Sequence, residues 1–376
     1  MQPIQMVDVQ RQYQMLKTDI DRRVLACMES GAFINGPDVK NFEASLSFYL
    51  DNTHVVSCAN GTDALQVALM ALNLQTGDEV IVPSFTFIAS VEVIALLGLK
   101  PIVVDVDPRT FLMKVEDIEA SLSPRTKAII PVHLFGQCVN MKALMKLAHV
   151  RELFVIEDNA QSIGAKCTAQ HDERLFAGTI GDMGTTSFYP SKNLGCYGDG
   201  GAIFARKESM AKMIRKIANH GMDRRYYHDL IGVNSRLDSI QAAILNVKLP
   251  YLDRWNQQRV KVADKYDQAL GDLEGILIPQ RVPWSDHVFH QYTIRVLDGR
   301  RDAMQSYLAE NKIPSMVYYP VPMHEQKAFN NVVRKRVLLK NTDLVSKEVL
   351  SLPMHPDLED DQMQYIAEHI GKFLKG

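Results

Sequence analysis

LFVIEDNA, residues 153–160, places four apolar residues directly before two acids. An apolar run without alternation is typical of a strand buried on both faces of a parallel sheet. Similar apolar runs occur along the first 210 residues, and helix-like segments lie between them. The other strand candidates are HVVSCAN (54–60), EVIVPSF (79–85), KPIVVDVD (100–107), TKAIIPVHLF (126–135), TTSFYP (185–190) and GGAIFARK (200–207). This alternation predicts an α/β fold with a mostly parallel sheet covered by helices on both faces.

The pattern changes near residue 237. LDSIQAAILNVKL (237–249) predicts a helix that stops at Pro250, and VFHQYTIRV (288–296) alternates like a half-buried strand. We therefore expect two units: a large domain over residues 1–245 and a smaller α+β domain over residues 246–376.

Composition limits the classes of function. The chain has 376 residues, with 42 Lys plus Arg against 44 Asp plus Glu and a net charge of −2. This balance argues against a general nucleic-acid binder, which needs basic patches. The five cysteines form no CxxC pair and the first residues do not resemble a signal peptide, so we expect a reduced, cytoplasmic protein. No apolar stretch is long enough to cross a bilayer, so we expect no membrane partner.

Asn60-Gly61-Thr62-Asp63 follows a predicted strand and opens a predicted helix. Free backbone N–H groups and the helix dipole make such a start an anion site, and Gly61 allows close approach. The plainer interpretation is that Thr62 or Asp63 only caps the helix. No GxxxxGK[ST] motif is present, which disfavours a nucleotide P-loop.

Glu157 and Asp158 end the strand that opens this section. Two buried acids are costly unless they are paired or hydrogen-bonded, so one of them could hold a cation. A metal site is the rival interpretation, but the 11 histidines do not cluster along the sequence. We expect no metal.

Lys192 follows another predicted strand and precedes a glycine-rich run, residues 195–201. Most lysines are solvated, but a lysine in such a cleft is partly desolvated, which lowers its pKa and makes it a plausible Schiff-base nucleophile. Further along, Arg224 and Arg225 could bind phosphates or carboxylates, or could form a solvated basic face.

An anion cradle, a buried acid at a strand end and a desolvated lysine together fit one cofactor, pyridoxal 5'-phosphate. Its phosphate needs a helix start, its pyridine nitrogen needs a carboxylate and its aldehyde needs a lysine. The candidates for these three positions are Gly61, Asp158 and Lys192.

These segments resemble the sugar aminotransferases of the DegT/DnrJ/EryC1/StrS group, which have the type I aspartate-aminotransferase fold. The resemblance covers nearly the whole chain. Among the segments that carry it are GPDVKNFE (36–43), CANGTDALQ (58–66), GDEVIVPSFTFIAS (77–90), VIEDNAQSIGA (155–165), SFYPSKNLGCYGDGGAIF (187–204), NHGMDRRYYHDLIGVNSRLDSIQAAIL (219–245) and VYYPVPMH (317–324).

The resemblance implies a role for each matching residue around the cofactor ring. Lys192 would form the Schiff base with the cofactor and then move a proton between cofactor and substrate carbon. Asp158 would pair with the pyridinium nitrogen and raise its pKa. Gln161 would hydrogen-bond the phenolic oxygen, and Phe87 would stack on the ring face opposite Lys192.

The resemblance also implies how the phosphate and the sugar are held. Asn234 of a neighbouring subunit would reach the phosphate, so the active form would be a homodimer with shared sites. Arg236, also from the neighbour, and Tyr319 would face the sugar nucleotide. The remaining phosphate ligands would be Gly61, Thr62, Asp63 and Ser187.

The implied reaction takes an amino group from L-glutamate and passes it to a keto group of a nucleotide-linked sugar, for amino-sugar and surface-polysaccharide biosynthesis. Some relatives carry His in place of the lysine and dehydrate the sugar, so Lys192 favours transamination. The segments look most like the branch that acts at C-3 of UDP-linked 2-acetamido-3-keto sugars, including uronic acids. C-4 amination and a non-catalytic regulatory protein are the alternatives. A dinucleotide-dependent oxidoreductase would need a GxGxxG motif after the first strand, which is missing.

Overall fold

The computed structural model describes residues 2–376, apart from the side chain of Gln170. Its strands are β1 (His54–Cys58), β2 (Glu79–Pro83), β3 (Lys100–Val104), β4 (Thr126–Ile129), β5 (Phe154–Asp158), β6 (Lys166–Thr168), β7 (Arg174–Phe176), β8 (Met183–Ser187), β9 (Gly201–Ala205), β10 (Met222–Arg224), β11 (Tyr227–His228), β12 (Ile276–Leu277), β13 (Tyr292–Val296), β14 (Arg334–Lys335) and β15 (Val349–Leu352).

The helices alternate with the strands in the first half of the chain and dominate the second half. They are α1 (Val9–Ser30), α2 (Pro37–Tyr49), α3 (Gly61–Ala71), α4 (Ala89–Leu96), α5 (Val115–Ala120), α6 (Met141–Val150), α7 (Glu208–Ile217), α8 (Ser239–Lys248), α9 (Leu252–Leu270), α10 (Arg301–Glu310), α11 (Lys340–Glu348) and α12 (Asp360–Lys375). Among the described residues, no helix combines the length and the apolar character needed to cross a membrane.

The large sheet has eight strands in the order β1-β9-β8-β5-β4-β2-β3-β14. Only β9 runs antiparallel to its neighbours β1 and β8 within the described sheet. The central strands are apolar on both faces because helices cover both, as the runs in the sequence predict. The predicted α/β class and type I fold are confirmed.

A second, antiparallel sheet of order β12-β13-β15 packs against α9, α10 and α12. Ile4 joins the same apolar cluster, and the Met354 N–H donates to the Met6 carbonyl at 3.1 Å, so the start of the chain reaches this sheet. In the other direction, β14 pairs in parallel with β3 and extends the large sheet. The C-terminal half of the chain thus adds a strand to the large sheet, and the first residues of the chain pack on the small one.

Two sequence expectations need adjustment. The strand predicted over 288–296 begins only at Tyr292, because the segment before it bonds elsewhere: the Val288 N–H donates to the Gly136 carbonyl at 2.9 Å. A Cβ on Gly136 would lie 2.7 Å from the Phe289 nitrogen, so only glycine allows this approach. The expected half-burial is also wrong, since all five residues of β13 are buried: α9, α10 and α12 cover one face, and on the other face Arg295 bonds to Glu348 of α11 and to the Pro108 carbonyl.

Candidate active site

Most of the predicted cofactor ligands follow parallel strands whose carboxyl ends share one edge of the large sheet. Asp158 is the last residue of β5 and Ser187 the last residue of β8, while Gly61 follows β1 and Phe87 follows β2. Because ligands of open α/β sheets bind outside this edge, the topology alone gathers these residues into a candidate site.

The start of α3 forms the anion cradle. Asn60 is the N-cap, and its Oδ1 accepts from the Asp63 N–H at 2.8 Å, so the alternative in which Thr62 or Asp63 caps the helix is wrong. The first N–H groups of a helix lack intrahelical partners and carry its positive dipole end. A Cβ on Gly61 would lie 2.7 Å from Cβ of Ser187, so the glycine lets the helix start meet the end of β8.

Asp158 is nearly buried, and two donors fix its carboxylate. Oδ2 accepts from the Ser90 hydroxyl at 2.7 Å, and Oδ1 accepts from the Ala160 N–H at 3.2 Å. Ser90 lies fully buried on α4 and was missed in the sequence. A serine among the apolar residues of α4 is the signal that could have found it, because a buried hydroxyl needs a partner.

Glu157 lies on the opposite face of β5 and is fully engaged. Its carboxylate accepts from the N–H groups of Gly178, Ile180 and Gly181 at 2.9, 2.7 and 2.7 Å. His133 Nε2 lies 2.8 Å from the same carboxylate. This acid therefore holds the turn before β8 in place.

Lys192 lies half-buried in the loop between β8 and β9. Burial lowers the pKa of Lys192 to about 8, although the negative charge of Asp158 opposes that shift. Among the residues and side chains that the structure describes, none makes a hydrogen bond to its amine. A lysine with this lowered pKa and an unengaged amine has the properties of a Schiff-base nucleophile.

Gln161, Tyr319 and Phe87 form one connected group. Gln161 Oε1 accepts from the Phe135 N–H at 2.7 Å, and its Nε2 donates to the Tyr319 hydroxyl at 3.1 Å. Burial raises the pKa of Tyr319, so its hydroxyl stays protonated. The Tyr319 and Phe87 ring centroids are 6.1 Å apart, and Phe87 is 53% exposed, which leaves an aromatic face open at the sheet edge.

Asn234 and Arg236 stand apart from this group. Asn234 is exposed and bridges Asn219 through the backbone, and Arg236 is half-buried. Within residues 2–376, no hydrogen bond joins either side chain to the other predicted site residues. Between them, the Ser235 hydroxyl accepts from the Ala59 N–H at 3.1 Å, next to the cradle.

The donor set fits pyridoxal phosphate. A helix start with unpartnered N–H groups, packed closely on Ser187, suits a phosphate. A nearly buried carboxylate suits a protonated pyridine nitrogen, and an amine of lowered pKa without a hydrogen bond suits an aldehyde. These requirements are met by Gly61, Asp158 and Lys192.

Comparison with known proteins agrees with this site. A profile of the DegT/DnrJ/EryC1/StrS aminotransferase family matches residues 14–371. A pleiotropic regulatory protein of Geobacillus stearothermophilus is 45% identical over 376 residues, 99% of each chain. UDP-2-acetamido-2-deoxy-3-oxo-D-glucuronate aminotransferase of Pseudomonas aeruginosa is 43% identical, over 97% of this chain and 98% of that one. Among solved structures, DesV of S. venezuelae in complex with a ketimine intermediate is 36% identical, with a TM-score of 0.94 over 100% of this chain and 99% of that one.

Fold, site and matches together define a pyridoxal-phosphate-dependent aminotransferase. Other solved relatives hold the cofactor, one as bound PMP and another in both PLP and PMP forms. The chain belongs to the DegT/DnrJ/EryC1/StrS aminotransferase family, which confirms the resemblance read from its sequence.

Proposed function

We propose that this enzyme transfers an amino group from L-glutamate to the C-3 keto group of a nucleotide-linked sugar, for amino-sugar and surface-polysaccharide biosynthesis. One observation carries the proposal. A lysine of lowered pKa, whose amine makes no hydrogen bond among the described residues, and a nearly buried aspartate lie at the sheet edge where α3 begins. The name of the Pseudomonas aeruginosa relative supports a 3-keto sugar as the acceptor.

Each residue of the site would contribute a separate task. Pyridoxal phosphate, when bound, supplies an electron sink for the carbon that gains or loses a proton. Asp158, itself fixed by Ser90, would keep a proton on the pyridine nitrogen. Lys192 would carry a proton to and from the substrate carbon, because an amine with a pKa of about 8 exchanges protons readily near neutral pH.

The other residues would bind and orient the cofactor and the sugar nucleotide. Gln161 would use its remaining N–H on the phenolic oxygen of the cofactor, while Tyr319 faces the sugar nucleotide. Phe87 would stack on the ring and exclude water from that face. The phosphate would be held by Gly61, Thr62, Asp63 and Ser187.

We also propose a homodimer in which Asn234 and Arg236 complete the site of the partner copy. Asn234 is exposed, as a side chain that reaches another subunit would be.

A large unit over residues 1–245 and a small unit over 246–376 would make up each subunit. A cytoplasmic location is in keeping with the five cysteines, all buried and unpaired.

The glutamate half-reaction is the first test. Purified protein loaded with pyridoxal phosphate is mixed with L-glutamate, and we expect one equivalent of 2-oxoglutarate and conversion of the cofactor to its amine form. Lys375→Ala, a change at an exposed lysine, is the matched control for Lys192→Ala. Cofactor binding without any 2-oxoglutarate would contradict the proposal.

That same outcome would favour a second function, a regulatory protein that binds the cofactor without turnover. The name of the Geobacillus stearothermophilus relative is the observation behind this second candidate.

The second test concerns the sugar acceptor. The aminated enzyme is mixed with UDP- and dTDP-linked 3-keto and 4-keto sugars, and the products are identified by mass spectrometry. Amination of only the 4-keto sugars would overturn the assignment to C-3.

A further inference from the structure

The loop that carries Lys192 is closed by backbone hydrogen bonds at its ends: the Phe188 N–H donates to the Gly200 carbonyl at 2.7 Å, and the Cys196 N–H donates to the Phe188 carbonyl at 2.8 Å. It connects β8 to β9 without helix or strand, and the Lys192 N–H donates to the Tyr189 carbonyl at 2.8 Å. A lysine that must move a proton at one defined atom needs a fixed backbone, since misplacement by about 1 Å can cost 10²-fold in rate. These backbone bonds join residues 188–200 to one another, so side chains must hold the loop against the rest of the protein, as the Lys248 amine does at the Gly195 carbonyl.

Asn193, the next residue, reaches across to the segment that includes the small sheet. Its side chain is nearly buried, and its Nδ2 donates to Asn256 Oδ1 at 2.8 Å and to the Val288 carbonyl at 3.1 Å. Its Oδ1 lies 3.3 Å from His290 Nδ1. Asn256 lies on α9, and the other two partners directly precede β13.

The orientation of the Asn193 amide follows from its partners. Asn256 Nδ2 donates to the Ile163 carbonyl at 3.1 Å, so its Oδ1 is the atom that faces Asn193. Both groups near Asn193 Nδ2 are then acceptors, and a flipped amide would set oxygen against oxygen twice. Asn193 Oδ1 consequently faces His290 and can only accept.

His290 must therefore donate from Nδ1. The imidazole is nearly buried, and burial, together with the positive charges of Lys192 and Arg259, lowers the pKa of His290 well below its ordinary value. A neutral imidazole has one N–H, so the hydrogen bond to Asn193 places that proton on Nδ1. The ring is held in one tautomer by a residue adjacent to the reactive lysine.

We propose that Asn193 and His290 are a pair of positioning residues that fix the backbone of Lys192 against the segment before β13. The inference rests on the proposed aminotransferase function, in which Lys192 moves the proton. Neither residue needs to touch substrate, because both act through the loop.

The first test examines geometry without cofactor or activity. In cofactor-free protein labelled with ¹⁵N-histidine, we expect the His290 side chain to show the neutral Nδ1–H form at about pH 7, assigned by its absence in His290→Asn. A neutral Nε2–H form, or a charged ring, would overturn the proposal. The tautomer is measured in the unaltered chain, and the His290→Asn variant serves only to assign the signal.

The second test asks whether the Nδ1–H donor of His290 affects the pKa of the Lys192 amine. His290→Asn keeps an N–H near the position of Nδ1, and His290→Leu removes it. In cofactor-free protein, the pH dependence of Lys192 acetylation, read by peptide mass spectrometry, gives the apparent pKa of the amine. Losing the donor frees the loop and lets water reach the amine, which reverses the effect of burial. We therefore expect His290→Leu to raise the pKa of Lys192 by about one unit toward the ordinary lysine value, and His290→Asn to leave it near that of the wild type.

The third test measures steady-state kinetics of the His290 variants with glutamate. We expect His290→Leu to lower kcat by about 10- to 100-fold with KM for glutamate unchanged, and His290→Asn to recover most of the loss. His355→Leu, at another nearly buried histidine, controls for general loosening of the region. If Asn and Leu variants are equally impaired, or neither is, the donor has no positioning role. A wild type without glutamate turnover would instead contradict the proposed function and leave the two cofactor-free tests standing.

Discussion

Lys192 and Lys248 occupy two neighbouring regions, and burial lowers the pKa of both. Lys192 lies in the loop at the open edge of the large sheet, while Lys248 ends α8 and is completely buried. Burial lowers the pKa of Lys192 to about 8 and that of Lys248 to about 7. By this property alone, Lys248 is the stronger candidate for a reactive amine.

Their contacts reverse that ranking. The Lys248 amine donates to the Gly195 carbonyl and lies 4.6 Å from the centre of the Tyr197 ring. The Lys192 amine has no such engagement within residues 2–376 and lies close enough to Asp158 to respond to its charge. A lowered pKa therefore shows only that a lysine is buried. An amine without a hydrogen bond, beside a carboxylate at the open edge of the sheet, indicates a reactive lysine.

Removing the reactive amine should have the largest effect. We expect Lys192→Ala to abolish covalent attachment of pyridoxal phosphate and to reduce amine transfer by about 10⁴-fold, since both the nucleophile and the proton carrier are lost. Borohydride reduction followed by mass spectrometry measures the attachment. A variant that still retains a reducible covalent cofactor would show that another lysine is the reactive one, and Lys248 would be examined first.

Asp158→Asn should have the next largest effect. The amide keeps the shape of the side chain but cannot hold the pyridine nitrogen protonated, so we expect near-normal cofactor binding and turnover reduced by about 100-fold or more. Spectroscopic titration with pyridoxal phosphate and steady-state assays measure the two quantities separately.

Glu157→Gln is the matched control for that change. The two acids are adjacent in sequence, but Glu157 faces the opposite side of β5 and bonds to backbone N–H groups there. We expect this variant to lose stability, because the amide cannot satisfy every donor around it, while keeping its turnover per folded molecule. Turnover near that of the wild type in Asp158→Asn would mean that this carboxylate does not serve the cofactor nitrogen.

The sequence predicted the fold and the set of strand-end residues because both follow from short-range patterns. Apolar runs identify the buried strands, and the carboxyl ends of parallel strands necessarily meet at one edge. Asp158 and Lys192 could be selected in this way because each directly follows or ends such a run.

Other features depend on contacts between distant segments, and no local pattern encodes them. Asn60 rather than Thr62 caps α3, and only the path of the backbone decides between them. Ser90 is 68 residues from Asp158, and His290 is 97 residues from Asn193. The buried state of β13 likewise depends on distant segments rather than on its own alternation, because Glu348 of α11 and the Pro108 carbonyl bond to Arg295 on its second face.

Lys248→Met should have the smallest effect on amine transfer, because its amine bonds to the Gly195 carbonyl, three residues beyond Lys192, and to none of the predicted site residues in the described part of the chain. Its effect is on the pH dependence of stability. A lysine whose pKa falls from 10.5 to about 7 on folding binds fewer protons in the folded state, so the free energy of unfolding rises as the pH rises across that range. Each such proton contributes up to about 1.4 kcal/mol per pH unit.

Urea unfolding of cofactor-free protein between about pH 7 and 10 measures this slope at fixed protein concentration. We expect Lys248→Met to flatten it across the whole range. Lys192→Met should flatten it only above about pH 8, where the folded-state pKa of that lysine lies. Identical slopes in the wild type and Lys248→Met would mean that Lys248 is not desolvated, and the comparison of the two lysines would then reduce to their contacts alone.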